Sequence, residues 1–226
     1  MSALRPLTRS LGKAWRAYEG VMAVAPVRTQ MATSAFLWGL GDVFAQKVDG
    51  QKKLDNWHVL MSGIYGATVI GPCGHFWYQG LEKFVANRFA HGSAKFIATK
   101  VACDELIFGP LHVLSFFAFM VKAEGGSWKD VGEKIKRDFV TAYAAELVFW
   151  PTFQTINFWK VPVQHQLLAV NTACLLDSTF LCWVNKQDDW TRVLPAFMQH
   201  GAKRAATSQE ELLVPSASSL KAVHKQ

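Results

Sequence analysis

NWHVLMSGIYGATVIGPCGHFWYQGL, residues 56–81, contains no Asp, Glu, Lys or Arg across 26 residues. A helix needs about 20 predominantly apolar residues to cross the hydrocarbon core of a bilayer, so this stretch is long enough to span. Trp57 and Trp77 stand twenty residues apart within it. That is roughly 30 Å of helix, which matches the separation of the two interfacial aromatic belts. Gly63, Ala67 and Gly71 recur every four residues, forming a ridge of small residues along which helix backbones approach closely in lipid. Soluble helices also pack on such ridges, so the length and the missing charges carry the assignment.

Four further apolar stretches surround it, at 31–46, 96–121, 139–159 and 163–184. Inside these stretches sit five carboxylates: Asp42, Asp104, Glu105, Glu146 and Asp177. An ionised group at mid-bilayer costs several kcal/mol, so acids there face a partner or a wet cavity. The expected fold class is all-α: a polytopic membrane helix bundle of four to five kinked transmembrane helices. The expected organisation is a basic amphipathic arm over 1–26, a transmembrane helical domain over 27–190, and a polar tail over 191–226 whose composition predicts disorder.

Composition agrees with a membrane setting. Half of the 226 residues are apolar and only 18% are charged, although a mean hydropathy of +0.10 keeps a soluble helical globule in contention. The net charge of +7 is spread over the arm, loops and tail, which suits anionic headgroups. A nucleic-acid surface needs a basic stripe with stacking aromatics, and here the aromatics lie in apolar runs, so no nucleic-acid partner is expected. Cys73, Cys103, Cys174 and Cys182 all fall in apolar stretches without a C-x-x-C pair. They read as small buried residues, and no metal site or other cofactor is expected. No G-x-S-x-G, H-E-x-x-H or phosphate-cradling glycine loop occurs, so the chain does not read as an enzyme.

The arm repeats Arg5, Arg9, Lys13 and Arg16 at helical spacing, with no acid before Glu19, and Leu4, Leu7, Leu11 and Trp15 follow a largely separate face. That pattern suits either a mitochondrial targeting helix or a helix lying on headgroups. The mitochondrial inner membrane is the favoured location, with the peroxisomal membrane as the alternative. Pro26 is placed to open the first spanning helix. Asp49–Asp55 reads as a turn, 123–138 as a charged connector broken at Gly125-Gly126 and anchored by Trp128, and Pro162 as the start of a fifth apolar helix. Pro72, Pro110 and Pro151 lie inside spans, where each removes a backbone hydrogen bond and is expected to kink its helix.

Helical spacing gathers the polar residues of the spans. Lys100 and Asp104, four apart, share a face and neutralise each other. Glu146 and Asn157, eleven apart, point within about 20° of one another, with Gln154 on the same side. Gln166 and Asp177 repeat the eleven-residue relation. With Asp42 and His75 these nine residues are the candidate lining of a polar cavity or pore. For any one of them an interhelical hydrogen bond, worth on the order of 1 kcal/mol, is the plainer reading. For the set, a cavity is favoured.

Several separated motifs resemble one family. Trp150-Pro151, Gln154, Asn157-Phe158 and Val161-Pro162 follow the pattern W-P-x-x-Q-x-x-N-F-x-x-V-P. Gly71-Pro72 with His75, Trp77 and Tyr78, Lys100 with Asp104 and Pro110, and Gly41-Asp42 with Ala45-Gln46 fall in the matching order. The chain is similar over residues 14–190 to the peroxisomal membrane protein 2/4 family, which includes mitochondrial inner-membrane members, and its stretches at 71–84 and 161–183 look most like a plant branch. The resemblance implies a small integral protein of organellar membranes, described with four spans. Some of its members are weakly selective pores for small solutes, supporting metabolite balance and organelle homeostasis. A non-conducting structural or scaffolding protein is the alternative. The implied partners are the lipid bilayer and small solutes or ions, with a homo-oligomer left open. Two departures stand out: Gln166 where family members typically carry Arg, and Asp177-Ser178 where they carry Trp-Asn.

Overall fold

The computed structural model describes residues 4–48 and 50–185, with side chains at 12–48, 50–140, 142–144 and 146–175. The described residues are all-α. The elements are α1 (Leu4–Val24), α2 (Pro26–Val48), α3 (Asn56–Tyr65), α4 (Gly71–Ala86), α5 (Ala94–Cys103), α6 (Gly109–Ala123), α7 (Trp128–Lys160) and α8 (Val163–Asn185). The expected tail at 191–226 lies outside the described residues, as does the side chain of Asp177.

Two joins within this series are not loops. A five-residue π turn, Gly66–Ile70, links α3 to α4, and another, Asp104–Phe108, links α5 to α6. Both precede a Gly-Pro pair, Gly71-Pro72 and Gly109-Pro110. Proline has no N–H to donate, and its ring crowds the carbonyl four residues back. Widening the preceding turn by one residue removes that crowding. The Gly71 N–H accordingly reaches back five residues to the Gly66 carbonyl, and the Gly109 N–H to that of Asp104. Each proline thus opens the α-helical segment that follows, whereas Pro151 lies inside the uninterrupted α7.

The connector expected at 123–138 is mostly helix, because α7 begins at Trp128. Ser127 and Asp130 cap it reciprocally: the Asp130 carboxylate accepts from the Ser127 N–H at 2.6 Å, and the Ser127 Oγ accepts from the Asp130 N–H at 3.3 Å. Those bonds hold the Asp130 carboxyl below the usual range. Lys134 then pairs with Asp138 one turn on at 2.5 Å. A charged stretch can be helical when its charges are spaced to pair and its start is capped.

The chain folds as two compact units. One takes α1–α4, α5 to Val101, α7 from Thr155, and α8 to Phe180; the other runs from Ala102 to Gln154 and includes the end of α8. In the first, α2 crosses the α3–α4 rod most closely at Gly71 of the expected ridge and at Gly66, which lies outside it. A Cβ placed on Gly66 would lie 2.6 Å from the Ser34 carbonyl oxygen, and one on Gly71 would lie 2.6 Å from Met31 Cα. Tyr65, Tyr78, Leu81, Val85, Phe96 and Leu167 fill the core. In the second, Val113, Met120 and Val131 are buried, and the Tyr143 hydroxyl donates to the Glu105 carbonyl at 2.5 Å.

The polarity of the molecule is inverted relative to a water-soluble protein. Ser34 and Lys100 are 0% exposed, and Gln154, Asn157, Gln166 and Asn171 are equally enclosed. Phe36, Phe76, Leu106 and Leu111 face outward, with Leu106 71% exposed. Water as the outer solvent would leave these large apolar side chains exposed in both units. Among the described residues one continuous helix, Ala94–Ala123, is long and apolar enough by itself to cross a membrane, and only 11% of its most apolar window is buried. The core helix of a soluble protein would be mostly covered.

This crossing gives a direct test. Gly66→Ala and Gly71→Ala each force backbone apart and should destabilise purified protein by about 1–3 kcal/mol. Gly80→Ala meets nothing within 4 Å and should be neutral or slightly stabilising. Equal thermal midpoints for all three variants would show that α2 does not rest on Gly66 and Gly71.

Candidate functional site

The buried polar residues occur in separate clusters, each anchored by backbone geometry. At the α2–α3 turn, Asp42 binds the His58 Nδ1 at 2.7 Å and accepts from the Gln46 Nε2 at 2.7 Å. Gln46 also bonds both backbone groups of Asp55, accepting from its N–H at 2.7 Å and donating to its carbonyl at 3.1 Å. Asp55 caps α3 by accepting from the His58 N–H at 3.1 Å. Gln46 therefore does for this turn what a strand partner would do elsewhere: it satisfies backbone groups that a loop leaves open. The candidate Asp42 is part of this staple.

Near the glycine ridge, Asn171 on α8 donates to the Ser34 Oγ at 2.7 Å and accepts from the Trp38 Nε1 at 3.3 Å. The third cluster surrounds Lys100, which donates to the Glu82 carboxylate at 2.7 Å and to the Gln166 Oε1 at 3.1 Å. Its ammonium lies 4.3 Å from the Phe158 ring centroid, a contact that gains strength when desolvated. Gln166 passes the chain on by donating to the Val161 carbonyl at 3.0 Å, and Asn157 donates to the Gln166 carbonyl at 3.4 Å. On the outer side the Glu82 carboxylate meets the exposed His91 at 2.6 Å.

In the second unit the Gln154 Nε2 donates to the Asp104 carboxylate, both groups buried. Glu146 is half-buried on α7. Phe139 and Tyr143 stack at 5.7 Å one turn apart on the same helix.

His75 belongs to a fourth group. Its Nδ1 lies 2.9 Å from the Gln30 Oε1, and the Gln30 Nε2 donates to the Gln164 carbonyl at 3.3 Å. Both border a cavity of about 320 Å³ within the first unit. The docked half of α1 closes one side of it. Trp15 lies 5.0 Å from the His165 ring, Glu19 is 3.4 Å from the same imidazole, and Met22 is buried. Burial pushes the Tyr18 phenol above its ordinary value, so it stays neutral where it stacks on Trp15. The arm is therefore a wall of the fold at its C-terminal half.

Of the nine candidate lining residues, Lys100, Gln166 and Asn157 come together, as do Asp104 and Gln154, while Asp42 and His75 stand in clusters of their own within the first unit. Glu82, Gln30, Ser34 and Asn171 were not singled out from sequence. Glu82 lies one residue past the stretch expected to span, 56–81. Its signal was the helical period of Tyr78, Leu81 and Val85, which continues past the expected span end and carries Glu82 along α4.

Replacing Lys100 by Met should expose the cost of this arrangement. Breaking a buried pair costs about 3–5 kcal/mol; Glu82 keeps His91 and some solvent, which puts the loss near the lower figure. The double change Lys100→Met with Glu82→Gln should recover most of it in thermal unfolding of purified protein. A single variant that melts like wild type would mean the pair carries no stability.

The profile of the Mpv17 / PMP22 family matches residues 122–182, which hold α7 and most of α8. Protein SYM1 of Eremothecium gossypii is 34% identical over 170 residues, covering 74% of this chain and 93% of that protein. Mitochondrial inner membrane protein Mpv17 of Xenopus laevis is 30% identical over 174 residues, 75% of this chain and 95% of its own length. PXMP2/4 family protein 4 of Dictyostelium discoideum is 30% identical over 164 residues, 71% and 86% respectively. These relatives establish a family without singling out a branch within it. No solved structure matches the chain. With such relatives its location is the mitochondrial inner membrane, the one favoured by its basic arm, which has no acid before Glu19.

Proposed function

The chain belongs to the Mpv17/PMP22 family of integral membrane proteins, and from that membership and its inverted polarity we propose that it is a weakly selective pore for small solutes. The observation that carries the reading is the burial of polar side chains in each unit, Lys100, Asn157 and Gln166 in the first and Asp104 and Gln154 in the second, while Phe36, Phe76 and Leu106 are exposed. In hydrocarbon, polar and ionisable side chains within spans are expensive and mark pathways by default. The spans are 31–46, 56–81, 96–121 and 139–159, with the helix after Pro162 crossing or re-entering. In this reading the π turns matter because they place irregular backbone at membrane depth, which is tolerated where it is buried in protein or lines water. Metabolite exchange across the inner membrane is the role that follows.

One observation favours a second reading. The Ser34–Asn171, Lys100–Glu82–Gln166 and Asp104–Gln154 contacts satisfy one another, as in a non-conducting scaffold whose polar groups lock helices together. Purified protein in planar bilayers separates the two. A pore gives single-channel currents, and Glu146→Gln should alter conductance or ion preference while the protein still accumulates. Absence of any wild-type current, with Glu146→Gln lowering only stability, would establish the scaffold.

A further inference from the structure

We propose that the cavity between α1, α2, α4 and α8 is a binding site for small aliphatic ammonium compounds. It rests on the pore reading only for its consequence, the capture of a solute before passage; occupancy itself requires no current. The argument begins with charge. The chain carries 24 Lys and Arg residues, yet none borders this cavity among the described residues, and the one acidic side chain that does is Glu19, whose carboxylate lies 3.4 Å from the His165 Nε2 on the same wall. The Glu19 carboxylate sits at the rim with its side chain 46% exposed, so a ligand cation reaches it without crossing the core.

The polar groups deeper in are fixed as acceptors. The Gln30 Nε2 donates to the Gln164 carbonyl, which orients the amide so that its Oε1 faces His75. An amide oxygen only accepts, so the His75 Nδ1 carries the hydrogen, and in the neutral ring Nε2 is left with a lone pair. A carboxylate and an imidazole acceptor together suit a group that only donates, and an ammonium has three donors and no acceptor. Gln79 adds an amide that can turn its oxygen to the same ligand.

The remaining wall joins Gln164 and His165 of α8 to an apolar side. Met22, Ala23 and Pro26 form that side, and Met22 is only 5% exposed. A volume of about 320 Å³ lies at the small end of ligand cavities, matched to a short alkyl chain rather than a nucleotide. A carboxylate-bearing solute would meet Glu19 as a like charge. The tilted contact of Trp15 with His165, ring centroids 5.0 Å apart, holds α1 over the site, so binding should also tighten the arm against the bundle.

The test uses full-length protein in lipid nanodiscs, titrated with n-butylammonium and read by thermal melting. Sodium butyrate and 1-butanol serve as probes of equal chain length with opposite or no charge. Butylammonium should raise the melting temperature saturably, and the other two should not. Glu19→Gln should weaken the apparent affinity about tenfold, as expected for one charge-assisted hydrogen bond. Because that change can also loosen α1, Gln79→Leu on α4 is tested beside it and should weaken binding severalfold with α1 in place. Equal shifts from butanol or butyrate, no saturable shift, or unchanged affinity in both variants would each overturn the site. Currents without butylammonium binding would keep the pore and remove this site; binding without currents would keep the site and remove the pore.

Discussion

A lysine ammonium with no exposed surface has to be neutralised within the protein, and the first unit is organised around the residues that do this for Lys100. Glu82 supplies the charge, Gln166 a second acceptor and Phe158 a ring face. These come from three different helices, so α4, α7 and α8 must meet α5 at one level. The motif that made the sequence recognisable is explained by the same centre. Asn157 holds the Gln166 backbone, Phe158 lies beneath the ammonium and against Tyr78, and the Val161 carbonyl takes the Gln166 amide. Pro162 then ends α7 in a tight turn, its carbonyl accepting from the His165 N–H at 2.8 Å. Pairing of this kind is costly to assemble and costlier to break, which makes it a device for fixing register between helices.

Two helical rods repeat one design. The first is ten residues of α3, a five-residue π turn and sixteen of α4; the second is ten of α5, five of π turn and fifteen of α6. In both, a Gly-Pro pair follows the π turn. The first π turn opens with Gly66, whose bare Cα lets the Ser34 backbone approach. The second opens with Asp104, which instead reaches the Gln154 amide. The same backbone device thus serves steric contact in one unit and polar contact in the other.

Much of the helical layout was legible because its signals are local. Pro26, the Gly125-Gly126 break and Pro162 mark boundaries through missing donors and backbone freedom, and α2 and α8 begin beside their prolines. The π turns were not legible as such. A proline inside a span announces a disturbed helix, but whether the chain kinks or widens depends on neighbours such as Met31 and Ser34 that crowd Gly71 and Gly66. The helical start of α7 was masked by charge density, since Lys129, Asp130, Glu133 and Lys134 read as loop until their capping and pairing are seen. Partner identity was the least legible. Spacing suggested Asp104 for Lys100, four residues away, while the carboxylate that Lys100 meets at 2.7 Å is Glu82, eighteen residues earlier.

Gln166 is where these threads meet. Its side chain stands 3.1 Å from the Lys100 ammonium. A second cation in that position would face Lys100 across the same space and would need another acid within reach; Glu82 already serves Lys100 and His91. Glutamine resolves the conflict by offering an oxygen to Lys100 and an N–H to the Val161 carbonyl. The cluster is thereby closed with one acid and one buried base. The lysine centre thus uses its polar groups on one another, whereas the half-exposed Glu19 carboxylate, 3.4 Å from the His165 imidazole, borders a cavity.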